Sequence, residues 1–126
     1  MRMISEIITN ALNYLRSFGY AFEGLLHAFK EHTSFKIEVV AAFVVIITGI
    51  LVDLNRSDWL ILLVVIFSVL IAELLNTSIE TALDYMAKEH HIQVKVAKDV
   101  AAGAVFLLSI GAVVIGTVIF WPYILG

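Results

Sequence analysis

The chain has 126 residues, of which 61% are hydrophobic and 15% are charged, against roughly 45–50% and about 25% in soluble domains. This length suits one domain, residues 1–126, and the apolar excess indicates a membrane protein rather than a small soluble one. The net charge of −3 argues against nucleic-acid binding, and the absence of cysteine excludes disulfides, thiolate metal sites and a cysteine nucleophile.

The first segment alternates apolar and polar residues with a helical period. Its apolar positions are Ile4, Ile7, Ile8, Ala11, Leu12, Leu15, Phe18, Phe22, Leu25, Leu26 and Phe29. This spacing predicts an amphipathic helix over about 4–31 that lies in the membrane interface, with Gly19 as a candidate break. Polar residues such as Glu6 and Arg16 interrupt the apolar run, so the segment is not expected to be a secretory signal.

Three apolar segments follow, and with their polar ends each reaches the roughly 20 residues that cross a bilayer as a helix. They predict transmembrane helices over about 35–54, 58–85 and 96–125. Trp59 and Trp121 lie where the ends of these helices are expected, which suits anchoring in the membrane interface. Small residues spaced by four, such as Ala112 and Gly116, could serve helix association. The predicted fold is therefore all-α, with one interfacial helix and three membrane spans.

The basic residues are distributed unevenly around these spans. Those before the first span and between the second and third are Arg2, Arg16, Lys30, Lys36, Lys88, Lys95 and Lys98. The connection between the first and second spans has only Arg56, and the C-terminal end has no basic residue. Because positive residues favour the cytoplasmic side, the N-terminus and the 85–99 connection are predicted to be cytoplasmic.

The second predicted span contains an acidic stripe near its cytoplasmic end. At 100° per residue, Glu73, Thr77, Glu80 and Asp84 lie within about 40° of a common line, with Asn76 slightly to one side. Carboxylates are costly against lipid, so this stripe is expected to face other helices, water or cations. We call these five residues the polar stripe.

Two kinds of chemistry suit the polar stripe. Its oxygen atoms could bind a hard divalent cation such as Mg²⁺, or a carboxylate could act as a general base. Glu73 is deeper in the membrane and is the better base, whereas Glu80 and Asp84 are better placed to meet a metal or a nucleotide. Lys98, at the cytoplasmic start of the third span, could hold a phosphate group or could simply flank the membrane.

The stretch from Glu73 to Asp84, ELLNTSIETALD, closely resembles the signature of the prokaryotic diacylglycerol kinase family, E-x-x-N-[ST]-[SA]-x-E-x-x-x-D. The following Ala97-Lys98-Asp99 resembles the second motif of that family at the expected distance. The FKIE sequence at 35–38, the amphipathic start and the three spans extend the resemblance over nearly the whole chain.

The resemblance implies a small lipid kinase of the bacterial inner membrane that works as a homotrimer, with its N-terminus in the cytoplasm. Such an enzyme would transfer the γ-phosphoryl of MgATP to a lipid hydroxyl, converting diacylglycerol to phosphatidic acid. The family also includes undecaprenol kinases, which would make undecaprenyl phosphate. The C-terminal VIGTVIFWPYILG is similar to the undecaprenol branch and TSFKIEV to the diacylglycerol branch, so the motifs leave both acceptors open. In accord with this family, the chain has no G-x-x-x-x-G-K-[ST] phosphate-binding loop.

The resemblance also implies roles for individual residues. Glu73 matches the catalytic base, Asn76 an orienting amide, and Glu80 a metal ligand close to the nucleotide. The lipid would then reach the site sideways from the bilayer, between the amphipathic helix and the spans.

Five positions match parts of the family that contact the nucleotide. Tyr20, Lys98 and Asp99 correspond to nucleotide-contacting residues, and Glu89 and His90 align with a further nucleotide-contacting stretch whose sequence is poorly matched.

One family feature is displaced in this chain. The family places a second metal-binding glutamate three residues before the aromatic residue that opens the first span, and here His32 occupies that position before Phe35. Glu31 is one residue earlier, and a one-residue shift turns a helix by 100°. Glu31 is the predicted second metal ligand, and His32 is the alternative, although imidazole is a poorer ligand for Mg²⁺ than carboxylate.

An acidic stripe in a membrane helix is also typical of small ion or proton transporter subunits. That class predicts carboxylates near the bilayer midplane and has no need of a phosphate-binding lysine. Here the stripe extends to the cytoplasmic edge and approaches Lys98, which favours phosphate chemistry. A structural subunit whose carboxylates pair with basic residues is less supported, because the spans contain no basic residue for such pairing.

Overall fold

A computed structural model describes all 126 residues, and every secondary-structure element in it is helical. The four helices are α1 (Arg2–Glu31), α2 (Thr33–Leu51), α3 (Arg56–Met86) and α4 (Ile92–Leu125). By length and composition, α2, α3 and α4 are each able to cross a membrane. The prediction of an all-α protein with three helices long and apolar enough to span a membrane is therefore confirmed.

The first helix is long and continuous. α1 passes through Gly19 without interruption, so the candidate break at that residue is wrong. The helix ends at Glu31, and His32 has an extended backbone (φ −110°, ψ 110°) that separates α1 from α2. Ala28 and Phe35, on the two sides of this junction, are both buried. The position of α1 in the membrane interface stays a prediction.

The connection between α2 and α3 is a short turn with a defined cap. The side chain of Asn55 accepts a hydrogen bond from the backbone N–H of Asp58 at 3.0 Å, as expected of an N-cap asparagine. Trp59 packs against Gly49 near the end of α2, where a Cβ atom would lie only 2.8 Å from the Trp59 ring. Glycine at this position therefore allows the close contact between α2 and the start of α3.

α3 and α4 form the most extensive helix pair in the molecule. Leu62 of α3 and Ile119 of α4 are buried together with Leu54 of the preceding turn. The start of α3 meets the end of α4 through Tyr123, and the end of α3 meets the start of α4 through an ion pair between Asp84 and Lys98. The two helices are therefore antiparallel.

This topology gives the helix bundle two distinct ends. The α1–α2 junction at His32 and the 87–91 turn lie at one end, because α2 and α3 each cross the bundle once. The 52–55 turn and the C-terminus lie at the other end. α1 packs on α2 and on α3, so it lies beside the first end, where α3 has its polar residues.

Candidate active site

The polar stripe on α3 is the most buried polar region of the protein. Glu73, Asn76 and Thr77 are the chain's only buried polar or charged side chains, and Glu73 is just 6% exposed. Glu80 is half-buried and Asp84 is exposed, so burial decreases toward the 87–91 turn. The stripe thus packs against the other helices of the chain at its deep end, as the helical spacing predicts, and opens toward solvent at its outer end.

Glu73 lies within electrostatic range of ionisable groups from two other parts of the chain. Glu38 of α2 and Glu80 of α3 both interact with it, as does His32 at the α1–α2 junction. Like charges on neighbouring carboxylates repel one another more strongly where water is scarce. The arrangement therefore favours a group that brings a proton or a positive charge to Glu73.

The amide of Asn76 connects two members of this cluster. Its Nδ2 atom donates a long hydrogen bond of 3.4 Å to Oε1 of Glu80, whereas its Oδ1 atom is buried without a partner. Buried polar atoms without a partner are rare in folded proteins and call for an explanation. Because Oδ1 can only accept hydrogen bonds or coordinate a cation, it is suited to a ligand that supplies one of these.

Glu38 is a site residue that the sequence analysis did not identify. It belongs to the FKIE sequence that supports the family resemblance, but no role was assigned to it. In the structure it reaches the neighbourhood of Glu73, and its Oε2 atom is also buried without a hydrogen-bond partner. The sequence signal that could have identified Glu38 is a carboxylate within an apolar segment, because such residues are rare in membrane helices unless they have a function.

The outer end of the site combines acidic and basic side chains. Lys98 of α4 forms an ion pair with Asp84 of α3, and Lys95 forms one with Asp99 at 2.5 Å within α4. The expected meeting of the polar stripe with Lys98 is therefore present. A lysine at this position can exchange its carboxylate partner for a phosphate group, which it binds as a point charge.

The remaining predicted nucleotide-contacting residues, Tyr20, Glu89 and His90, take no part in these contacts. Tyr20 is exposed on α1, and Glu89 and His90 are exposed in the 87–91 turn. None of the three forms a hydrogen bond or ion pair with the polar stripe within this chain. Their roles stay predictions from the family resemblance.

The oxygen atoms at the site fit a magnesium ion bound together with a nucleotide. Glu80 and the free Oδ1 of Asn76 are hard oxygen donors, and Mg²⁺ normally takes one or two carboxylates and fills its other positions with water and phosphate oxygens. No three acidic or histidine side chains of this chain converge into a metal-binding group. Glu31 is exposed at the end of α1, whereas His32 lies within range of Glu73, so the second metal ligand stays a prediction.

The sequence that forms this site matches a known protein family. The family model described as "Prokaryotic diacylglycerol kinase" matches residues 19–120, which is most of the chain. The chain belongs to the prokaryotic diacylglycerol kinase family. Residues 19–120 include the whole polar stripe, Lys98 and Glu38, so the family match covers every residue of the candidate site.

Relatives of the chain include proteins named as undecaprenol kinase and proteins named as diacylglycerol kinase. The chain is 38% identical over 121 residues to the undecaprenol kinase of Bacillus subtilis (strain 168), covering 95% of this chain and 98% of that protein. It is 37% identical over 116 residues to a diacylglycerol kinase of Synechocystis, covering 91% of this chain and 66% of that protein. It is 27% identical over 115 residues to the diacylglycerol kinase of Escherichia coli (strain K12), covering 91% and 94%. The predicted enzyme class, a lipid kinase of the diacylglycerol or undecaprenol kinase type, is confirmed by these matches.

Proposed function

We propose that this member of the prokaryotic diacylglycerol kinase family transfers the γ-phosphoryl of MgATP to the hydroxyl of a membrane lipid. One observation carries the proposal: a buried carboxylate, Glu73, lies at the deep end of a polar stripe whose outer end pairs with Lys98. The stripe would thus connect a lipid acceptor in the bilayer to a phosphate-binding group at the membrane surface, as transfer from a polar nucleotide to a lipid requires.

On the acceptor side, Glu73 takes the proton of the lipid hydroxyl. The hydroxyl oxygen then forms a bond to the γ-phosphorus, the bond from that phosphorus to the β–γ bridging oxygen breaks, and ADP leaves. Asn76 donates to Glu80, which fixes the amide so that its Oδ1 atom is free to orient a donor group. The burial of Glu73 keeps water away from the acceptor oxygen and so limits wasteful hydrolysis of ATP.

On the nucleotide side, Lys98 leaves Asp84 and contacts the phosphates of ATP. Tyr20, Asp99 and the 87–91 turn, with Glu89 and His90, are the proposed further contacts to the nucleotide. Glu80 would hold magnesium, with Glu31 as the proposed second ligand. The bound metal would neutralise charge on the phosphates, a large part of what phosphoryl transfer demands of an enzyme.

The proposed acceptor is a lipid with a hydroxyl group at the membrane surface. Diacylglycerol would give phosphatidic acid, and the similarity to the Synechocystis and Escherichia coli diacylglycerol kinases supports this choice. Undecaprenol would give undecaprenyl phosphate, and the similarity to the Bacillus subtilis undecaprenol kinase over nearly the full length of both chains favours it.

We further propose a homotrimer in the bacterial inner membrane with a cytoplasmic N-terminus. The basic residues flank the end of the bundle formed by α1 and the 87–91 turn, in accord with a cytoplasmic location. Only 9 of 126 residues are buried within one chain, so a large apolar surface is available to lipid and to further copies.

The experiment that tests this function is a lipid kinase assay. Purified protein in phospholipid vesicles receives γ-labelled ATP, Mg²⁺ and, in separate reactions, diacylglycerol, undecaprenol or ceramide. We expect a labelled lipid phosphate from diacylglycerol or undecaprenol, about a hundredfold less or lower still from Glu73→Gln, and normal product from Glu6→Gln, an exposed glutamate of α1 that serves as the matched control. A wild-type protein that labels no lipid in the panel would contradict the proposal.

A further inference from the structure

Thr77 is the only hydroxyl side chain of the polar stripe. It is buried, with 8% of its surface exposed, and it lies between Glu73 and Glu80 on the same face of α3. Along the helix axis it is about 6 Å from Glu73 and about 4.5 Å from Glu80, at a rise of about 1.5 Å per residue. Thr77 is therefore placed between the proposed base and the proposed metal ligand.

The Thr77 hydroxyl differs from the other hydroxyl groups inside the three membrane-spanning helices. A serine or threonine within a helix often donates its hydroxyl hydrogen to the backbone carbonyl four residues earlier. Beyond the first turns of α2, α3 and α4, five side chains do so at 2.7–2.9 Å, namely Thr48, Ser68, Thr81, Ser109 and Thr117. Thr77 does not, and its hydroxyl has no hydrogen bond within the chain. The one other exception, Ser78, is exposed.

The missing bond leaves a hydrogen-bond donor free inside the site. Ionised carboxylates only accept hydrogen bonds, so the donors of the polar stripe are the amide of Asn76 and the hydroxyl of Thr77. The amide nitrogen of Asn76 is directed at Glu80. The Thr77 hydroxyl is engaged by neither a carboxylate nor a carbonyl, and a buried donor of this kind calls for an explanation.

The proposed reaction creates a need for a donor at this level of the helix. The γ-phosphoryl group starts on the nucleotide side of the stripe, near Glu80, and ends on the acceptor oxygen at Glu73. Reacting atoms approach to about 3–3.5 Å before transfer, so the group in transfer lies between the two carboxylates, at the height of Thr77. Its oxygen atoms carry negative charge, which the carboxylates repel and a fixed donor stabilises.

We propose that the Thr77 hydroxyl is a further catalytic group, which donates a hydrogen bond to an oxygen of the phosphoryl group during transfer. The inference rests on the proposed function and adds a residue to it. In this step the acceptor hydroxyl gives its proton to Glu73, and its oxygen forms the bond to phosphorus. The bond from phosphorus to the β–γ bridging oxygen breaks, and ADP keeps the electron pair. Thr77 retains its own proton throughout.

A purely structural threonine would make different contacts. It would donate its hydroxyl to the backbone carbonyl of Glu73, as Thr81 donates to that of Thr77 one turn further along α3. Its methyl group would then be the part that matters, and valine would replace it without loss. The free hydroxyl of Thr77 favours a role toward a group that enters the site.

Two substitutions at Thr77 separate the hydroxyl from the shape of the side chain. Thr77→Val keeps the branched shape and removes the donor, so kcat should fall about ten- to a hundredfold, the loss usual for one hydrogen bond to a charged group. KM for ATP and KM for the lipid should stay within about twofold, because the contact exists only during transfer. Thr77→Ser retains the hydroxyl and should keep kcat close to wild type.

Stability provides a second comparison between these variants. Thr77→Ser loses a methyl group from a buried position, so it should unfold in detergent at a lower temperature than Thr77→Val. The kcat values should have the opposite order, whereas a structural role would give both properties the same order. Thr81→Val is the matched control, because its hydroxyl is engaged by a backbone carbonyl at an exposed site. This control should keep kcat close to wild type.

A binding measurement tests the same contact without turnover. MgADP with aluminium fluoride mimics the phosphoryl group in transfer, and it is added to protein in vesicles that contain the lipid phosphorylated by wild type. Thr77→Val should bind this mimic about tenfold or more weakly than wild type does. It should bind MgADP alone with wild-type affinity.

The outcomes that overturn the inference are distinct from a failure of the proposed function. If wild-type protein phosphorylates lipid and Thr77→Val has the same kcat, the hydroxyl takes no part in transfer. Equal losses of kcat in Thr77→Val and Thr77→Ser would also exclude the hydroxyl, since only one of the two lacks it. A Thr77→Val protein that binds the aluminium fluoride mimic as wild type does would contradict the contact to the phosphoryl group. A wild-type protein without any lipid kinase activity would instead overturn the proposed function itself.

Discussion

Lys98 in the second turn of α4 forms an ion pair with Asp84 in the last turn of α3, across the turn that joins these helices. Asp84 is largely exposed and Lys98 only about one-third exposed, so the lysine is held at the outer end of the polar stripe while the carboxylate remains hydrated. An exposed pair of this kind contributes only about 0–1 kcal/mol to stability. The main effect of the ion pair is therefore to hold the positive charge of Lys98 beside the proposed site.

The first prediction concerns this lysine. Lys98→Met should raise KM for ATP about tenfold or more, because a hydrogen bond to a charged group contributes about 1.5–3 kcal/mol. KM for the lipid should not change. Initial-rate kinetics with each substrate varied in turn will measure both constants. Arg56→Met, at an exposed basic residue without an ion pair at the opposite end of the bundle, is the control. Equal effects in the two variants would remove Lys98 from the nucleotide site.

The second prediction addresses the second metal ligand. Glu31→Gln should raise the Mg²⁺ concentration required for half-maximal activity several-fold, because carboxylate is a better ligand for this ion than amide or imidazole. His32→Gln should leave that concentration close to wild type. A titration of activity against Mg²⁺ at fixed ATP will compare the two. If His32→Gln raised the Mg²⁺ requirement and Glu31→Gln did not, the second metal ligand would be His32, which lies within electrostatic range of Glu73.

The third prediction concerns the opposite end of the bundle. The hydroxyl of Tyr123 accepts hydrogen bonds from the backbone N–H and the Nδ2 of Asn55 at 3.2 and 2.7 Å, and donates one to Oδ2 of Asp58 at 2.7 Å. Tyr123→Phe removes these three hydrogen bonds, although Asn55 and Asp58 stay bonded to each other, and should destabilise the protein by about 0.5–1.5 kcal/mol. Thermal unfolding in detergent will measure the loss.

The control for this variant is Tyr14→Phe, since Tyr14 is exposed on α1 and its hydroxyl has no hydrogen-bond partner within the chain. The kcat of Tyr123→Phe should match that of wild type at temperatures where the variant is folded, because Tyr123 lies at the end of the bundle away from Glu73. A Tyr123→Phe protein as stable as Tyr14→Phe would contradict the role of this hydrogen-bond network.

The fourth prediction concerns the packing of α2 on the start of α3. A Cβ atom at Gly49 would lie 2.8 Å from Cη2 of Trp59 and 3.0 Å from Cδ1 of Leu54. Gly49→Ala should therefore destabilise the protein, by about 1–3 kcal/mol as is usual for overpacking. Gly111→Ala is the control, because nothing lies within 4 Å of its Cβ position and alanine favours a helix over glycine. If denaturation shows that Gly49→Ala is as stable as Gly111→Ala, tight packing of Gly49 against Trp59 is excluded.

Part of the site could be predicted from the sequence because it lies on one helix. A helical period places Glu73, Asn76 and Thr77 on one face, and the cost of carboxylates in lipid requires that face to be covered. The structure buries these three side chains. Helical spacing within a single segment is thus sufficient to predict which polar residues of α3 face inward.

Other features depend on contacts between helices, which the spacing within one helix does not determine. Glu38 approaches Glu73 only because α2 packs on α3. The hydrogen bond between Asn55 and Tyr123 joins residues 68 apart in the sequence, at a place determined by the antiparallel packing of α3 and α4. The error at Gly19 has a different cause, because one glycine costs a long helix only about 1 kcal/mol relative to alanine and does not break it.

The most direct test of the account compares nucleotide binding with turnover in Glu73→Gln. Glutamine is nearly isosteric with glutamate but cannot take the proton of the acceptor hydroxyl. The variant should bind MgATP with wild-type affinity in a direct binding measurement, while kcat falls by about 10²–10⁴, the usual contribution of a general base. A Glu73→Gln enzyme that phosphorylates lipid at the wild-type rate would contradict the central claim that the buried carboxylate of α3 activates the acceptor.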